Sequence, residues 1–120
     1  MHSQIQKIER KPELEELVAR LALGEHPVTV GGPIPSLAEF QKRVTGMEYV
    51  FIKFTDTRGG TDLDVCIDKE TTDLSRANFA QMHGIAHVEG TLILDYIPVR
   101  CVADIDLATL NGSGHLEVQP

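Results

Sequence analysis

The stretch HGIAHVEGTLILD, residues 83–95, holds two histidines and two carboxylates within one short segment. Imidazole is the side chain whose ordinary pKa lies closest to neutrality, so His83 and His87 are natural candidates for a general acid or base. Four residues apart, they would share one face of a helix and could grip a metal there. Gly84 and the extended pattern of AHVEG argue against a helix, and no H-E-x-x-H arrangement occurs. On a strand, His87, Glu89, Thr91, Ile93 and Asp95 share a face opposite Ala86, Val88, Leu92 and Leu94. In a curled sheet that face could line a pocket. His87 or His83, assisted by Asp95 or Glu89, would then move protons in a cofactor-free isomerisation, dehydration or cyclisation. The alternative is a row of outward, solvated side chains, which half-exposed antiparallel strands commonly carry.

A second cluster lies in FTDTRGGTDLDVCID, residues 54–68. Asp62, Asp64 and Asp68 alternate along a strand at about 7 Å per two-residue step, too far apart for one ion to collect all three. A cation site would need Asp104 or Asp106 from another strand, so no metal is expected, and a solvated strand face is the simpler account. The TRGG turn offers Arg58 and two glycine amides to an anion, yet a strand follows it, not the helix that a phosphate loop requires. Tyr49 and Phe51, on the mixed face of the preceding strand, join Arg58 as candidate ligand contacts. Cys66 sits beside aspartates, where a catalytic thiolate lacks its cationic support. Cys101, between Val99 and Ala103, reads as a small core residue. No C-x-x-C, G-x-S-x-G, Walker or dinucleotide glycine motif is present.

The elements that must position these residues follow from periodicity. In KPELEELVARLALG, Leu14, Leu17, Val18 and Leu21 form a helical stripe, with Pro12 in the first turn and Gly24 beyond the last. Ile5 and Ile8 could begin a helix or lie in an arm. HPVTV is short and extended. In SLAEFQKRVTG, Ser36 and Glu39 match the S-x-x-E capping box, and Gly46 is expected to stop the helix. After Gly46 the period falls to two. Val50, Ile52 and Phe54 alternate in one strand; Thr61, Leu63, Val65 and Ile67 alternate in the next, and the two form a hairpin. TTDLSRANFAQMHG could hold one or two helical turns. IAHVEGTLILDY and VRCVADIDL read as long strands broken near Pro98. NGSG at 111–114 carries the signal for a tight turn before a last strand, HLEV.

The sum is a single α+β domain over residues 1–120: two N-terminal helices packed on a curved, mostly antiparallel sheet of about five strands, curled toward a cone or barrel. This helix–helix–hairpin–helix–meander order resembles the nuclear-transport-factor-2-like and cystatin-like superfolds, which host both enzymes and binding modules.

Composition narrows the function further. A formal net charge of -7, with basic residues scattered, disfavours nucleic acid and anionic lipid as partners. No apolar run reaches the ~20 residues of a membrane span, and the polar N-terminus lacks a signal-peptide core, so a cytoplasmic setting is expected. Without any cofactor motif, the expectation is a non-catalytic accessory or binding protein for a protein or a small molecule, acting as a homodimer without a cofactor. A small acid–base enzyme and a divalent-metal binder are the alternatives.

Overall fold

The computed structural model describes residues 12–120, with side chains from residue 16 onward; Ile5, Ile8 and the Leu14 side chain lie outside that range. The elements in chain order are α1 (Pro12–Leu21), β1 (His26–Val30), α2 (Leu37–Gly46), β2 (Tyr49–Phe54) and β3 (Thr61–Ile67). They continue with β4 (Ala77–Asn78), β5 (His83–Leu94), β6 (Ile97–Asp106) and β7 (Asn111–Val118).

Six strands run antiparallel in the order β3-β2-β1-β7-β6-β5, and β5 returns to pair with β3, closing a barrel. Among the described residues, two short helices and seven strands make the fold richer in sheet than expected. A sheet with alternating apolar faces can bury one face only by covering it or curling onto itself, and this chain does both. Val28, Ile52, Phe54, Val65, Val88, Val99, Ile105 and Leu116 point inward and are buried, joined in one core by Val18 and Leu21 of α1 and Phe40 and Val44 of α2. Since about eight strands leave a barrel just wide enough for side chains to fill, six leave no room for a central ligand chamber.

Several expected boundaries move. Ser36 Oγ does accept the Glu39 amide at 3.2 Å, but the Glu39 carboxylate turns to Arg43 at 3.0 Å, so the capping box is half made. Residues 68–82 form no helix. They run as turns along β5, tied by an Asp73–His87 bridge and by β4 against His83 and Gly84. The β5–β6 break falls at Asp95 and Tyr96, whose φ angles of 53° and 69° make a two-residue hairpin turn, while Pro98 sits within β6 opposite Ile93. NGSG is not a turn. The chain reverses at Leu107–Leu110, where Leu110 takes φ 65° and its amide donates to Asp106 O at 2.7 Å. Gly112 lies inside β7, paired with β6 and β1, where a Cβ would overlap the Asp104 carbonyl oxygen. The glycines thus serve strand curvature, which a local turn signal cannot distinguish. A closed barrel, with no helix between β3 and β5, also separates the fold from the open cone of the superfolds it resembles in sequence order.

Candidate functional site

Closure rests on a short seam. β3 pairs with β5 only at Cys66↔Thr91 and Ile67↔Gly90, whereas β5 and β6 pair from Ile85↔Asp106 to Leu94↔Ile97. Gly90 permits the contact: a Cβ there would crowd the Cys66 carbonyl oxygen and lie 2.6 Å from Val65 Cγ1. The Asp68 amide extends the seam by donating to Glu89 O at 2.8 Å.

A charged cluster stands on the outer face at this seam. His87 Nε2 meets Glu89 Oε2 at 2.6 Å and His87 Nδ1 meets Asp104 Oδ1 at 2.8 Å. Arg100 Nε donates to Glu89 Oε1 at 3.0 Å, while Nη2 donates to Asp68 Oδ2 at 2.8 Å and Thr71 Oγ1 at 2.6 Å. Thr72 Oγ1 donates to Glu89 O and accepts the Glu89 amide, so residues 68–73 are laced onto β5. The strand alternation dictates this placement. Ala86, Val88 and Gly90 turn inward, leaving His87 and Glu89 outside with Arg100 and Asp104 of β6.

Burial pulls the His87 imidazole down, but the hydrogen bonds to Glu89 and Asp104 outweigh it and its pKa ends above the ordinary 6.5. Burial likewise pushes Glu89 up, and the hydrogen bonds from His87 and Arg100 bring it below the usual carboxylate value. The Arg100 hydrogen bond holds Asp68 low as well. An imidazolium satisfies both of its carboxylates with two N–H donors, whereas the neutral ring can donate to only one. His115 repeats the pattern with Glu25 and Glu117, and His26 with Asp56 and the Leu23 carbonyl.

The remaining candidates are dispersed. His83 begins β5, exposed, opposite Asn78. Asp95 lies in the hairpin turn, eight residues or about 26 Å along the strand from His87, so the two do not meet. Arg58 is exposed on the β2–β3 turn, beside a groove of about 620 Å³ that also borders Leu17, Arg20 and Thr57. Phe51 lies under the Arg43 guanidinium, 4.7 Å from its ring centre. Tyr49, half exposed, borders a different groove with Cys66. Cys66 and Cys101 are both free thiols. Asp62 accepts the Gly32 amide at 2.8 Å, and Asp64 is exposed. β5 stands between these aspartates and those of β6. Among the described residues, no group of three or more His, Cys, Asp or Glu side chains is arranged to hold a metal. Asp104 as a partner of His87, and Arg100 as a partner of Glu89, are not legible in the sequence, because only the β5–β6 register places them there.

The Tyr49 groove is the larger one, about 670 Å³, within the range of small-ligand sites. It opens where β3 and β5 part beyond the seam. Leu63, Leu92, Leu94 and Val99 line its inner side; Asp62, Asp64 and Ile93 form its rim. His87 lines neither of these grooves. No helix among the described residues is long and apolar enough to cross a membrane. No protein-family model and no curated protein matches the chain.

Proposed function

We propose that this is a non-catalytic binding protein whose contact surface is the groove where β3 and β5 diverge, and that its charged cluster holds the barrel shut. The observation carrying this is the contrast between the two places. At the cluster, both imidazole nitrogens are already bound to carboxylates, and the ring stands on the outer barrel face. A general base needs a free nitrogen within reach of a substrate proton, usually in a pocket that excludes water. At the groove, apolar side chains line an open cleft without partners among the described residues. Its neighbourhood is apolar too: Ile93 is 72% exposed, Tyr96 at the tip of the same hairpin 94%, and Val118, paired with Val99, 55%. Large apolar side chains outside a cleft favour a macromolecular partner over a small molecule enclosed within it.

A homodimer belongs to the same proposal if these exposed side chains are its contact, and sedimentation across a concentration series reads it directly. The groove itself is tested by titrating a set of neutral apolar fragments into the labelled protein and following amide shifts. The expected shifts gather at Leu63, Asp64, Cys66 and 91–94. Fragments that instead move His87, Glu89 and Asp104 would replace this reading with the acid–base enzyme.

A further inference from the structure

We propose that the groove receives an extended peptide strand of alternating apolar and basic residues, which adds to the free edge of β3; this rests on the groove being the contact surface. The backbone sets the direction. The Ile67 amide donates to Glu48 O on the β2 side, and the Asp68 amide donates to Glu89 O on the β5 side. Because N–H and C=O groups alternate sides along a strand, Asp62 and Asp64 aim theirs toward the seam. Between Thr61 and Val65 no described strand pairs with that side of β3. The facing edge of β5 is likewise free beyond Thr91. Unpaired strand edges with an adjoining apolar cleft are how extended peptides are captured.

Side-chain alternation then prescribes the occupant. A strand laid about 4.8 Å from β3 turns every second residue inward, onto Leu63, Leu92, Leu94 and Val99. The others stand outward beside Asp64, which faces Phe51 on β2 and has no cation in the groove lining, whereas Asp62 lies opposite Lys53 and is turned to the Gly32 amide. Apolar residues suit the first set, and lysine or arginine the second. A second copy of this chain fits worse. Two β3 edges paired antiparallel would place the Asp64 carboxylates of both copies on one face with no cation in the lining beside them, and like charges opposed across a ladder destabilise it. The free edge spans five residues, so about six residues of peptide fill it.

The test uses a blocked hexapeptide of alternating lysine and valine, the full-length chain, and amide hydrogen exchange read residue by residue. The expected result is about tenfold or greater protection at the Asp62 and Asp64 amides, with little change at Leu63 and Val65, which already face β2. A counterpart with glutamate for lysine should give none, nor should the lysine peptide N-methylated at alternate residues. The variant Asp64→Lys, at an exposed position, should reverse the preference toward the glutamate peptide. Equal protection by the glutamate or N-methylated peptide overturns the proposal. So does protection that grows with protein concentration alone, which assigns the edge to a second copy. Binding that requires prior removal of residues 2–10 assigns it to the chain's own N-terminal segment and overturns an external partner. If no peptide binds while apolar fragments still shift the groove, the strand falls and the groove stands; if neither binds, both fall.

Discussion

Replacing Gly90 by alanine tests whether the barrel is shut by close backbone approach. The added Cβ would lie 2.6 Å from Val65 Cγ1 and closer still to the Cys66 carbonyl oxygen. The valine can adjust, but the carbonyl is main chain and cannot rotate away, so β3 must retreat by about 1 Å to restore van der Waals contact. Overpacking that shifts backbone costs about 1–3 kcal/mol. Stretching the Cys66–Thr91 pair and the Asp68–Glu89 hydrogen bond removes about 1 kcal/mol each. Alanine returns about 0.5 kcal/mol by restricting the unfolded chain. The net is a loss of about 3 kcal/mol, or roughly 10 °C in Tm for a domain of this size. Urea titration gives the free energy, and amide exchange at Asp68 reports the seam. Gly46→Ala is the internal control. It ends α2 with open space around it, and the same methyl should leave stability unchanged or raise it by up to about 0.5 kcal/mol. If Gly90→Ala matches the parent within about 0.5 kcal/mol while Asp68 stays protected, the seam does not depend on close backbone approach at this glycine.

Other consequences are as specific. His87, His115 and His26 all titrate above 6.5 in the folded chain, so the stability they contribute is complete below that pH and is lost as pH rises through their folded values. Asp68, Asp73 and Glu89 titrate below their ordinary values and give the opposite limb, lost on acidification. Urea midpoints should therefore peak near pH 5–6 and decline toward pH 8, and His87→Gln should flatten the alkaline decline; a profile rising through pH 7 would contradict this. Arg100→Met should free residues 68–73 before the barrel unfolds, visible as about tenfold faster exchange at Asp68 and Asp73 with core amides unchanged. Cys101 is 1% exposed, and burial pushes its thiol up to about 12. A thiol reagent at pH 8 should modify Cys66 alone in the native protein and both cysteines in urea; two rapid equivalents in the native state would refute the buried placement.

What the linear chain determines here is local. The every-other-residue rhythm after Gly46 correctly separates Val50, Ile52, Phe54, Leu63 and Val65 as buried from Asp62 and Asp64 as exposed. This works because side-chain direction on a strand depends only on parity. The same parity placed His87 and Glu89 on one face. It erred where one residue type serves two purposes: the glycines of NGSG bend a strand, and the short polar run after Asp68 hugs β5 with no helix. Nothing local separates those outcomes.

Tertiary structure decided the rest. Cross-strand register brought Asp104 beside His87, 17 positions away, and Arg100 beside Glu89, 11 positions away, so the row carries ion pairs on both imidazole nitrogens. Closure between β3 and β5 joined segments more than 20 residues apart, and the early end of that pairing opened the groove. Register and closure depend on which distant strand lies alongside, a choice made by packing over the whole core and absent from any short window of sequence.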